Sequence, residues 1–234
     1  MKMCRNNEQL VRGRFITFEG SEGAGKSTQV SLLVKVLRRA GLVKSLATRE
    51  PGGSAGAESI RRLLIEGEPG RWDGITESLL HSAARRDHLV RTIWPALADG
   101  RWVVCDRFID STVAYQGSGQ GVDVTNLRAI AALIAGDFTP DLTIILDLPP
   151  QIGLERAAAR TAARKIVGRE EQRVEERYER MDLSFHLRLC QAFRAIAAAE
   201  PDRCVVVDAN CDIPTVHAAV WRAVTDRLGA DLLV

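Results

Sequence analysis

A chain of 234 residues, 46% of them hydrophobic, can bury one substantial core and is too short to require two. Its formal net charge of only +2 argues against a general electrostatic field for nucleic acid or a membrane surface, so any affinity for anions has to come from local clusters. Five cysteines without C-x-x-C spacing argue against a disulfide framework or a zinc site. No apolar run has the length of a signal peptide or a membrane span, and together these features predict a cytoplasmic protein with no membrane or nucleic-acid partner.

In chain order, residues 1–13 read as a tail and 14–234 as a single domain. Phe15 to Glu19 is β-branched and aromatic enough for a buried strand. It runs straight into Gly20-Ser21-Glu22-Gly23-Ala24-Gly25-Lys26-Ser27-Thr28, which fits G-x-x-x-x-G-K-[S/T], and a helical pattern follows over Gln29 to Arg39. In a strand–loop–helix context the glycines turn backbone N–H groups inward and the helix adds its positive end, so the segment is predicted to hold nucleotide phosphates. Lys26 is then placed for the β- and γ-phosphates and the Ser27 hydroxyl for Mg²⁺.

Further strands are predicted at Val43 to Thr48, Trp102 to Asp106, Leu142 to Leu148 and Cys204 to Asp208, with helices at Ser54 to Glu66 and Glu77 to Ala98. The alternation predicts an α/β fold with a five-stranded parallel sheet flanked by helices. Runs such as Leu142-Thr143-Ile144-Ile145-Leu146 suit strands covered on both faces. The loops Gly20 to Gly25, Arg49 to Gly53 and Asp106 to Ser111 should converge at the carboxyl ends of the strands. They bring Arg49, Arg107 and Asp106 beside the phosphate loop, as a phosphotransferase requires. From Arg156 to Arg180 arginines and glutamates alternate densely, as in a charged, mobile flap.

The segments Ile16 to Thr28, Thr48 to Gly53, Ser82 to Val90, Cys105 to Gly117, Pro140 to Ala157 and Val205 to Ala209 together resemble the bacterial thymidylate kinases, nucleoside monophosphate kinases that make dTDP from dTMP and ATP. The resemblance implies a P-loop kinase fold with a short lid at about 156–180, Mg²⁺ as cofactor, ATP and dTMP as partners, and a homodimer. By it Arg49 and Arg107 grip the dTMP phosphate, whose charge suits bidentate guanidinium donors, and Asp106 joins Ser27 at the metal. Glu22 accepts from the deoxyribose 3′-hydroxyl, Arg85 donates to thymine O4, Thr112 and Gln116 read the remaining base edge, and Tyr115 blocks a ribose 2′-hydroxyl.

Two positions depart from the family pattern. Where family members commonly place a phenylalanine under the thymine, this chain has His81. Where some carry a catalytic arginine in the phosphate loop, it has Gly23. The catalytic set implied is therefore Lys26 and Arg107 with a lid arginine, from Arg160, Arg164, Arg169, Arg173 and Arg177; Arg177 matches the end of the family's lid and Arg160 ends the helix before it. Arg160 also resembles the arginine that stacks on adenine, and Ala209 lies in the loop that borders that base. The alternatives are a kinase for another monophosphate (dUMP, UMP or CMP) and a non-catalytic phosphate-loop switch. The second lacks support because no N-K-x-D guanine signature occurs. Because an imidazole buries less apolar surface under a base than a phenyl ring, His81→Phe is expected to keep or lower the KM for dTMP in a steady-state assay; a large loss of activity would give His81 another duty.

Overall fold

The computed structural model describes residues 13–42, 44–68, 70–166 and 176–229, with the side chains of 164–166 and 176 outside that description. β1 (Phe15–Glu19) is buried along its whole length, because its apolar side chains serve both faces. Ile16 and Phe18 enter one core and Phe15 another. β2 (Leu46–Arg49), β3 (Val103–Asp106), β4 (Leu142–Asp147) and β5 (Cys204–Asp208) pair parallel to it in the order β2-β3-β1-β4-β5. The predicted five-stranded parallel sheet is the observed one.

The second strand starts later than its pattern suggests. Val43 is outside the described residues, and the Ser45 N–H donates to the Leu42 carbonyl in a turn while Arg38 caps the Ser45 carbonyl at 3.2 and 2.8 Å. With those backbone groups occupied, ladder pairing begins at Leu46.

The helices are α1 (Lys26–Arg39), α2 (Ala55–Ile65), α3 (Gly74–His88), α4 (Trp94–Ala98), α5 (Ile109–Thr112), α6 (Val124–Ala135), α7 (Pro150–Ile166), α8 (Glu176–Glu179), α9 (Leu183–Ala199) and α10 (Ile213–Leu228). α1 and α10 cover one face of the sheet through Leu33, Leu37, Val220 and Val224. The remainder of the core gathers around Phe15, Phe108 and Ile93, and around Tyr115, Phe185 and Phe193. The helix expected over Glu77 to Ala98 starts earlier, at Gly74, because the Asp73 carboxylate accepts the N–H groups of Ile75 and Thr76. It also widens into a π-helical turn at Leu89–Ile93 before continuing as α4. Pro95 has no N–H to give the Arg91 carbonyl, and the wider turn precedes that defect.

One contact fixes the phosphate loop against the rest of the fold. Gly23 has φ +68°, a conformation glycine adopts freely, and a Cβ there would run into the Gly153 carbonyl in the first turns of α7. A Cβ on Gly153 would in turn meet the Glu22 carbonyl. Two glycines thus let the loop backbone lie directly on α7, and no side chain, an arginine included, fits at position 23 without moving that helix. Gly153→Ala is expected to lower stability by about 1–3 kcal/mol, as an overpacking change does, and to raise the KM for ATP; thermal unfolding with steady-state kinetics checks both.

Candidate functional site

The phosphate loop joins β1 to α1. Gly20, Gly23 and Gly25 all have positive φ, and no side chain caps the first turn of α1, so its N–H groups and dipole face the loop. Lys26 is buried and lies across its own loop, donating to the carbonyls of Gly20 (3.1 Å) and Ser21 (2.7 Å). Ser27 in the first turn meets the end of β3, where its hydroxyl donates to the Asp106 carboxylate at 2.5 Å. The register that pairs Phe18 with Asp106 brings them together. Among the described residues no group of three or more His, Cys, Asp and Glu side chains could cage a metal. A hydroxyl beside one carboxylate is instead a set of hard oxygen donors suited to Mg²⁺, which keeps waters and takes phosphate oxygens as its other ligands.

Arg107, directly after Asp106, adopts the left-handed conformation with φ +71°, uncommon for a side chain of this size. Its Nη1 donates to the Gly20 carbonyl and to Ser111 Oγ, both at 3.1 Å. Its Nη2 donates to Glu22 Oε1 at 2.7 Å and to the Tyr115 hydroxyl at 2.9 Å. Tyr115 also donates to Glu22 at 2.6 Å, and the guanidinium carbon lies 4.8 Å from the Tyr115 ring centroid. All three side chains are buried. Burial alone would push the Glu22 carboxyl up, but Arg107 and Lys26 outweigh it and bring it down to about 2, so Glu22 is an ionised acceptor at neutral pH.

Beside this cluster lies a pocket. The predicted residues Glu22, His81, Arg85, Arg107, Thr112, Tyr115 and Gln116 all line it. Glu50, Pro51, Phe108, Ser111 and Tyr178, which sequence reasoning left without a role in base recognition, line it too. Arg85 is buried, with Nε on Glu50 (2.6 Å) and Nη2 on the Phe108 carbonyl and Thr112 Oγ1 (3.0 and 3.1 Å). Glu50 is held from its other side by His88 Nδ1 (3.1 Å), and His88 Nε2 by Thr48 (2.8 Å). That buried chain fixes the guanidinium, and its hint in the sequence was an acid placed inside Arg49-Glu50-Pro51. Arg49 is elsewhere: its side chain is 53% exposed, paired with Glu58 at 2.8 Å, and outside the pocket lining.

The lid residues divide. Arg177 is buried against Glu77 and Tyr178 at the pocket wall; burial opposes its charge, but Tyr178 and Glu77 raise its pKa above the usual arginine value. Gln116 and Gln120 also donate to Glu77, at 2.8 and 3.1 Å. Arg160 is 40% exposed, pairs with Glu179 at 2.8 Å, and lies near enough to Glu22 to help lower its pKa. The Ala209 carbonyl takes a hydrogen bond from Arg156 at 3.2 Å, one helical turn before Arg160. Arg169 and Arg173, and the side chain of Arg164, lie outside the described residues. No helix among the described residues is long and apolar enough to cross a membrane.

The family model for thymidylate kinase matches residues 18–220. Relatives with that name include proteins of Bradyrhizobium diazoefficiens, 51% identical over 93% of this chain and 91% of theirs, and of Caulobacter vibrioides, 49% identical over 94% and 100%. Among solved structures, a thymidylate kinase of Ehrlichia chaffeensis is 35% identical, with a TM-score of 0.69 over 90% of this chain and 98% of that one.

His81 gives the site a pH signature. Burial, helped by the charges of Arg85 and Arg177, holds its imidazole down to about 3 from 6.5, so between those values the folded chain binds fewer protons than the unfolded one. Stability from this group is therefore complete above about pH 6.5 and lost on acidification toward 3. The wild type is expected to lose more melting temperature than His81→Phe over that window. Parallel curves for the two proteins in pH-dependent thermal scans would contradict a neutral, half-buried His81.

Proposed function

The chain belongs to the thymidylate kinase family, whose members phosphorylate dTMP at the expense of ATP, and we propose that the residues of the phosphate loop and the pocket divide that work between them. Residues 14–234 act as one domain, with about 156–180 as its lid. The backbone of Gly20 to Thr28 and the N-terminus of α1 hold the donor phosphates, and Lys26 exchanges its two loop carbonyls for phosphate oxygens. Ser27 and Asp106 hold Mg²⁺, which when bound offsets the negative charge of the phosphates.

Arg107 carries the reading. One buried guanidinium touches both the phosphate loop, at the Gly20 carbonyl, and the pocket, at Tyr115 and Glu22, so it stands where an acceptor phosphate has to meet the donor. Arg49, released from Glu58, is the second donor to that phosphate. Arg85, Thr112 and Gln116 read the thymine edge over His81, Tyr115 excludes a ribose 2′-hydroxyl, and ionised Glu22 accepts from the 3′-hydroxyl. No strong general base is required, because an acceptor phosphate oxygen is already ionised. Arg160, whose charge helps to lower the Glu22 pKa, neutralises the transferring group, and Arg177 braces the pocket wall. Arg160 and the loop at Ala209 flank the adenine.

Exposed apolar side chains support a homodimer: Ile75 and Leu79 on α3 are 55% and 52% accessible, and Leu133 on α6, the helix packed against α3, is 84% accessible. The unpaired thiols of Cys105, Cys190, Cys204 and Cys211 suit a reducing cytoplasm.

The test is ADP release with ATP and Mg²⁺, offering dTMP, dUMP, UMP, CMP, AMP and GMP separately. A kcat/KM for dTMP at least about tenfold above every other acceptor, abolished by EDTA, is expected. Preference for another monophosphate would overturn the acceptor assignment, and turnover without an acceptor would favour a phosphate-loop switch.

A further inference from the structure

β1 ends in a carboxyl that does not itself line the pocket but bonds two residues that do. Glu19 is wholly buried. Its Oε1 accepts the Phe108 N–H at 2.7 Å and its Oε2 the Ser111 hydroxyl at 2.5 Å. Both partners belong to Arg107. Phe108 supplies the peptide N–H that follows it, and Ser111 Oγ accepts from its Nη1 at 3.1 Å. The Arg107 N–H itself donates to the Phe18 carbonyl at 2.9 Å, so the end of β1 grips the peptides on both sides of a residue held at φ +71°. Left-handed backbone in a long side chain persists only where its surroundings over-determine it, and Glu19 is the side chain that supplies the second anchor.

We propose that Glu19 is a positioning residue for the acceptor phosphate, holding Arg107 in the backbone conformation from which its guanidinium spans the phosphate loop and the pocket. The proposal rests on Arg107 being the phosphate's ligand. The charges around Glu19 agree with a purely structural grip. Asp110 faces it and is itself neutralised by two 2.8 Å bonds from Arg203, while Arg107 lies on the other side. Burial, with Asp110 adding to it, pushes the Glu19 carboxyl up to about 8; glutamine matches it in shape, its carbonyl can still accept the Phe108 N–H, and its amide can meet Ser111 Oγ only as a donor.

The experiment compares Glu19→Ala, Glu19→Gln, Ser111→Ala and Arg107→Ala, with KM and kcat for each substrate, ATP affinity by calorimetry and thermal unfolding. Misplacing a ligand by about an ångström costs up to about a hundredfold, so Glu19→Ala should raise the KM for dTMP at least about tenfold while ATP affinity stays within about threefold. Glu19→Gln should restore the KM for dTMP to within about threefold of wild type, and Ser111→Ala should shift it the same way as Glu19→Ala by less. A folded Glu19→Ala protein with an unchanged KM for dTMP, with equal losses for both substrates, or with no rescue by glutamine overturns the proposal. If Glu19→Ala does not fold, an unchanged KM in Ser111→Ala overturns it. Arg107→Ala separates the premise from the proposal: an unchanged KM for dTMP there refutes Arg107 as the phosphate's ligand, whereas a large rise there without one in Glu19→Ala refutes only the role of Glu19.

Discussion

A guanidinium sealed away from water has to find partners for its charge and its donors, and Arg107 finds them in the segments from which the site is assembled. Its Nη2 neutralises Glu22 in the phosphate loop, its Nη1 reaches the loop carbonyl of Gly20, and its ring contact is Tyr115 on the π-helical turn at Val113–Gly119. Removing one member of such a buried pair leaves an uncompensated charge, a loss of about 3–5 kcal/mol, whereas an apolar replacement of the whole cluster would be nearly neutral. The cluster therefore makes sense less as a source of stability than as a geometry. Lys26, buried on its own loop carbonyls, finds partners for its charge in the same way.

The parallel sheet makes that geometry possible. Because β1 is flanked by β3 and β4, the loop after β1 and the loop after β3 emerge side by side, and Ser27 meets Asp106 although 79 residues separate them. The Gly23–Gly153 contact then presses the phosphate loop onto α7, the helix that carries Arg160. The phosphate loop and the start of α7 are consequently one packed unit, while the pocket is walled by α3, the π-helical turn and the short α8. Charge within the pocket is arranged in separate chains: Thr48, His88, Glu50 and Arg85 along one wall, and Glu77, Gln116, Tyr178 and Arg177 along the other. Arg85 and Gln116 are thus held by largely buried partners.

The two departures from the family pattern find different explanations in the fold. Gly23 is required by backbone packing, so the missing loop arginine is a matter of space. His81 is a matter of environment: burial first, then the charges of Arg85 and Arg177, keep its imidazole neutral, with Nε2 at 3.4 Å from the Tyr178 hydroxyl.

The sequence alone determined the sheet, the phosphate loop and most of the pocket. Those depend on local signals: apolar strands at regular spacing, glycines where the backbone must turn on a phosphate, and short motifs that hold their residues within a few positions of one another. It did not determine the widened helix before Pro95, the late start of β2, the placement of Arg49 on Glu58 outside the pocket, or the bond from Arg156 to the Ala209 carbonyl. Nor did it reveal Glu19, Glu50, Glu77 and His88, whose partners lie between 35 and 101 residues away. Periodicity says which side of an element is buried, but a buried acid is acceptable only where a particular donor reaches it, and only the tertiary packing decides which donors those are.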